Sequence, residues 1–82
     1  MELTTGELVE LRDRLEKHFS DSELRSLCFE IDEDYENLEG TTKFGRIQSL
    51  VAKCTRQGTI AALLAALARL RPKVAWPGAG PP

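Results

Sequence analysis

Apolar residues recur three or four positions apart along most of this chain, and no stretch alternates apolar with polar as a strand would. That periodicity restricts the fold to packed helices. Leu8, Leu11, Leu15 and Phe19 mark a first helix, opened by Thr4 and Glu7 at capping-box spacing. His18 lies beside that stripe near the helix end, a place for a surface or capping residue. Ser20 and Glu23 repeat the capping-box spacing directly after Phe19, so a second helix follows a sharp bend. Leu24, Leu27, Cys28 and Ile31 form its buried face, with Phe29 alongside. The stretch from Asp32 to Gly40 is acidic and irregular; Asp34 can cap a short turn carrying Tyr35 and Leu38 inward, and Gly40 suits a left-handed exit. Thr41 or Thr42 then opens a fourth helical segment with Phe44, Ile47, Leu50, Val51 and Cys54 on one side, stopped by Gly58. Thr59 caps a fifth helix holding Ile60, Leu63, Leu64, Leu67 and Leu70, which Pro72 closes.

The 82 residues permit one domain, expected over residues 3–72, with the Pro/Gly-rich residues 73–82 as a linker or tail. Ending in a linker is what a module excised from a longer protein would show. Trp76 either folds back over the bundle or stands exposed; the sequence leaves both open. A domain of this length typically buries only about 60–65% of the surface its unfolded chain exposes, which leaves little core for a deep substrate cavity. No basic or apolar leader opens the chain, and its longest apolar stretch, Ile60 to Ala68, is nine residues. A bilayer span needs about 20, so a cytoplasmic protein without membrane contact is expected. Cys28 and Cys54 could pair in principle, but each falls on an apolar helical face, as a reduced core cysteine does. With His18 the single histidine, a Cys/His metal site lacks ligands, and no metal or cofactor is expected.

Net charge is −2, but its distribution is uneven. All 13 acidic residues lie at or before Glu39 and, with only four basic residues there, leave that part at −9; residues 40–82 carry seven basic residues and no acid, hence +7. Two outcomes are open. The halves can fold together and neutralise each other through surface ion pairs, each worth little. Alternatively, acidic and basic faces stay apart and meet on neighbouring molecules, where complementarity governs specificity and encounter rate.

The residues assemble no reaction site. Ser20, Ser22, Ser26 and Ser49 lack a nucleophile-elbow context, and no Gly-rich phosphate loop is present. Asp32, Asp34 and Glu36 match the first ligand positions of a calcium loop. Asn37 then stands where glycine is needed and Lys43 where a bidentate glutamate is needed, so the pattern fails. Arg46, Lys53 and Arg56 recur at helical spacing and could touch nucleic acid. With a pI near 5.4 and no basic cluster interleaved with aromatics, that reading is disfavoured. An interfacial membrane helix at Ile60–Leu70 would take its apolar face from a core too small to spare it.

The run from Phe19 through Ile31 leads into Asp34-Tyr35-Glu36-Asn37-Leu38 and Gly40, then Lys43, Arg46, Leu50-Val51, Arg56, Gly58, Leu63-Leu64 and Arg71-Pro72. This pattern, most specific over Glu23–Gly40, resembles the bacterial effector-associated or death-like domains at the ends of multidomain conflict proteins. The helix order is also similar to animal death-effector domains. The resemblance implies an all-α, compact five- or six-helix Greek-key bundle of death-fold type, although a clear sixth helix is missing from the sequence. It also implies a non-enzymatic adaptor that binds like domains and assembles or recruits attached effectors, in homo-oligomers or filaments. Glu23, Leu24, Arg25, Tyr35, Asn37 and Leu38 match its pattern in structural roles. Together with the charge split, it sets Asp32, Glu33, Asp34, Glu36 and Glu39 on an acidic interaction face and Lys43, Arg46, Lys53, Arg56 and Arg69 on an opposite basic one. A heterologous contact between such faces gives open growth unless its rotation closes. The alternatives are a heterotypic docking module that is monomeric alone and, from another class, a small nucleic-acid-binding bundle.

Overall fold

In the computed structural model, which describes residues 3–77, the first helix α1 (Thr5–His18) begins at Thr4. The Thr4 hydroxyl accepts from the Glu7 N–H at 3.1 Å, and the Glu7 carboxylate accepts from the Thr4 N–H at 2.9 Å. Ser20 and Glu23 form the same reciprocal box at the start of α2 (Asp21–Glu30), so only Phe19 and Ser20 separate the two helices. With both donors satisfied by side chains, the chain turns sharply at no backbone cost.

Helix α2 ends on Asp32, a non-glycine residue at φ 59°. The N–H of Glu33 reaches the Cys28 carbonyl at 2.7 Å and that of Asp32 the Phe29 carbonyl at 3.3 Å, the pair of bonds that makes a Schellman stop. A single 3-10 turn, Tyr35–Asn37, follows, with the Asp34 carboxylate accepting from the Glu36 N–H. At Gly40 the backbone takes φ 115°, and a Cβ there would stand 2.9 Å from the Gly45 carbonyl carbon. Only glycine fits both demands. Thr42, rather than Thr41, caps α3 (Lys43–Gln57) through its hydroxyl to the Gly45 N–H. Gly58 ends α3 in the left-handed region with a second Schellman pair, Thr59 N–H to the Cys54 carbonyl and Gly58 N–H to that of Thr55. Thr59 does precede α4 (Ile60–Leu70), but its side chain makes no cap bond. Its hydroxyl instead donates back to the Cys54 carbonyl, serving the end of α3.

The all-α class holds: the described residues contain helices and no strand. The expected five- or six-helix Greek-key count is not met, since four α-helices and one 3-10 turn are present. The third segment, read from the sequence as a short turn capped by Asp34, is that single 3-10 turn and not an α-helix. Pro72 has no N–H to donate to the Ala68 carbonyl, so α4 cannot continue through it.

Helix α1 packs chiefly on α3, α2 on the 3-10 turn and α4, and α3 on α4. Leu11, Leu15, Leu24, Leu27, Leu50, Leu63 and Leu67 are fully enclosed at the centre. Truncating such a leucine to alanine typically costs about 2–5 kcal/mol, so about three such changes would exhaust a domain of ordinary stability, roughly 5–15 kcal/mol. Cys28 and Cys54 are both buried and free. Of the two placements open for Trp76, the structure takes the buried one: the ring packs against Phe19 and His18, and its Nε1–H donates to the Arg71 carbonyl at 3.2 Å. Val74 also packs on the core, so the ordered packing continues past Pro72. Of the tail expected over residues 73–82, residues 78–82 lie outside the described residues.

Candidate interaction surface

The acidic segment after α2 is stapled onto α3. Glu33 pairs with Lys53 at 2.8 Å, which holds the Lys53 ammonium above its usual range. The Ser49 hydroxyl donates to the Glu39 carbonyl at 2.8 Å, and Arg46 Nε–H to the Gly40 carbonyl at 3.3 Å. Tyr35 is buried beneath this stretch. Its hydroxyl donates to Asp21 at 2.5 Å, and the guanidiniums of Arg25 and Arg46 lie 5.2 and 5.0 Å from its ring centre. Burial first, and the bond to Asp21 second, push its phenol up to about 12. Leu24 and Leu38, matched in the sequence pattern, are buried, and Asn37 bonds Asp34 within its turn.

The ten residues of the two expected faces are not all apart. Glu33 and Lys53 adjoin as an ion pair, so for them opposite placement does not hold; the fold brings the segment just after α2 against α3. Glu39, Lys53 and Arg56 line one groove of about 400 Å³ between the 3-10 turn and α3. Glu36 is bound by Arg25, whose hydrogen bond lowers the carboxylate below its ordinary range. Arg69 pairs with Glu30 at 2.9 Å, and Arg71 with Glu23. Lys43 donates to the Glu16 carbonyl at 2.9 Å, tying α3 to α1. Asp32, Asp34, Glu39, Lys43, Arg46 and Arg56 form no salt bridge among the described residues. Internal neutralisation therefore takes place, and it is incomplete.

Two features escaped the sequence reading. Phe29, placed alongside the buried face of α2, is 85% exposed. At 100° per residue it stands about 140° around the helix from Leu24, so a helical wheel could have found it. The second is an apolar groove of about 340 Å³ between α1 and α3, built from Leu8, Val51 and Ala52 with Arg12 and Arg56. It joins positions more than 40 residues apart and has no local signal.

Little here supports covalent or metal chemistry. Burial pushes the Cys28 thiol up to about 12 and raises that of Cys54, so both stay protonated and unreactive near neutrality. Among the described residues no three His, Cys, Asp or Glu side chains are grouped to hold a metal ion. No helix of the described residues is long and apolar enough to cross a membrane.

No curated protein and no solved structure matches the chain. The family model described as effector-associated domain 7 matches residues 11–72, from the middle of α1 to just past α4, and takes in the stapled acidic segment, the groove beside the 3-10 turn and the α1–α3 groove apart from Leu8. Covering about three quarters of the sequence, that match shows that the chain belongs to the effector-associated domain 7 family.

Proposed function

We propose that this chain is a non-catalytic docking module that associates with copies of itself or with like domains, and so gathers attached effector modules into one assembly. The observation that carries the reading is the charge left over after internal pairing. The acids without an ion partner in the 32–39 segment are Asp32, Asp34 and Glu39; helix α3 holds Lys43, Arg46 and Arg56 and no acid at all. A surface so divided attracts a second copy turned to present its opposite part, and the attraction is greatest at low ionic strength. Family membership supports a module attached to effectors. On the death-like resemblance, the contact joins two different surfaces and builds a ring or an open filament in a bacterial conflict or signalling protein of the cytoplasm.

Light scattering across protein concentration, with negative-stain images of the same samples, tests this reading. Growth of large species in low salt, reduced by Arg56→Glu in a protein that remains folded, is the expected result. Arg56 suits the experiment because it carries no bond that holds the fold, whereas Arg46 also props Tyr35 and Gly40. A strict monomer under every condition would overturn self-association and leave the heterotypic reading, in which a like domain from another protein is the partner.

A further inference from the structure

Phe29 is the largest apolar side chain left in water, and it points away from the core side of α2. Glu30 beside it is paired with Arg69, and Arg25 stands one turn earlier, so the acid free to accompany it is Asp32, fixed just beyond the helix end by a left-handed backbone that glycine would adopt more easily. The groove between α1 and α3 has the complementary character: Leu8, Val51 and Ala52 supply an apolar floor, and Arg12 and Arg56 supply positive charge. Neither arginine has an acidic partner among the described residues, and Arg12 Nε is buried with no acceptor. An apolar cavity of about 150 Å³ suffices to hold a benzene ring, so about 340 Å³ admits the Phe29 side chain with room for its approach.

We infer that Phe29 of one copy seats in the α1–α3 groove of a second copy, with Asp32 set against Arg12 or Arg56 at its edge. The inference rests on the self-association reading and gives it a central contact. Phe29 does not line the groove of its own chain, so the contact is intermolecular. The contact joins two different surfaces, so it is heterologous and propagates unless its rotation closes. An aromatic anchor enclosed in a pocket and ringed by charge is the arrangement that dominates binding energy at protein interfaces.

Two substitutions separate this contact from charge attraction alone. Phe29→Asp adds an acid to the acidic part, and Ala52→Arg adds a base to the groove; both positions are exposed, so the fold should survive, as circular dichroism would verify. If charge alone drove association, both would strengthen it. A seated ring predicts the reverse, with each variant at least about 30-fold weaker in self-association than the unaltered chain. An equimolar mixture, which retains one intact Phe29 and one intact groove, should then form one-to-one dimers that do not grow. Variants that assemble as well as the unaltered chain, or a mixture in which no dimer forms, would overturn the contact while leaving self-association standing. If the unaltered chain never associates, both readings fall together.

Discussion

Replacing Trp76 by alanine should destabilise the domain by about 1–2 kcal/mol, although the residue lies beyond the last helix. Its indole is 6% exposed, with ring centres 6.0 Å from Phe19 and 6.3 Å from His18. Burying such a side chain takes about 150–250 Å² from water, worth about 4–6 kcal/mol at about 25 cal/mol per Å². Its hydrogen bond to the Arg71 carbonyl adds about 1 kcal/mol. Against this, the substitution frees Ala75 to Pro77, and each released residue regains about 1–2 kcal/mol of backbone entropy. Val74 stays held by its own bond to Arg71. For a domain of this length the net loss corresponds to about 4–16 °C in melting temperature. Urea unfolding followed by far-ultraviolet circular dichroism would measure it, and truncation after Pro72 should lose a similar amount. A change below about 0.5 kcal/mol, the scatter of ordinary surface substitutions, would refute the docking of the tail.

Other expectations follow from single residues. Asp32→Gly relieves a left-handed aspartate and should stabilise the fold by about 0.5–1 kcal/mol, read as a urea midpoint, while weakening self-association because the carboxylate is lost. The opposite signs are the point: a gain in stability with no loss of association would remove Asp32 from the contact. Stability should also fall in alkali. The fold raises Tyr35 from 10.0 to about 12 and Cys28 from 9.0 to about 12, so it favours their protonated forms. That contribution is complete below the unfolded values and drains away as pH climbs through the folded ones, so urea midpoints should drop between about pH 9 and 12. Tyr35→Phe should flatten the part of the profile between about pH 10 and 12, and an unchanged profile would count against the buried phenol.

What the sequence discloses divides by range. Both capping boxes, the Asp34 cap and the Gly58 stop act over two to five residues, and all are readable from residue types and spacing. Thr59 shows the limit of that reading: it has the right type in the right place, yet the preceding Schellman turn claims its hydroxyl for Cys54. The five- or six-helix count came with the resemblance, whereas the residues themselves pointed only to a short turn at Asp34 carrying Tyr35 and Leu38 inward, and that turn is what forms. Phe29 needed only the angular bookkeeping of one helix. Trp76 could not be placed in advance, because its cover lies on Phe19 and His18, more than 50 residues earlier. The charge split was visible at once, but which acid meets which base was not; the Glu33–Lys53 and Glu30–Arg69 pairs depend on how the segment after α2 settles on α3 and how α2 settles on α4.

The central claim is that the charge left unpaired on this domain draws copies together. Sedimentation velocity of the unaltered chain, across protein concentration at low and high salt, measures it most directly. The account predicts a sedimentation coefficient that rises with concentration in low salt, and a return toward monomer as the screening length contracts from about 30 Å at 0.01 M to about 3 Å at 1 M. A monomer at every concentration and salt would contradict it, and so would assembly that salt leaves unchanged.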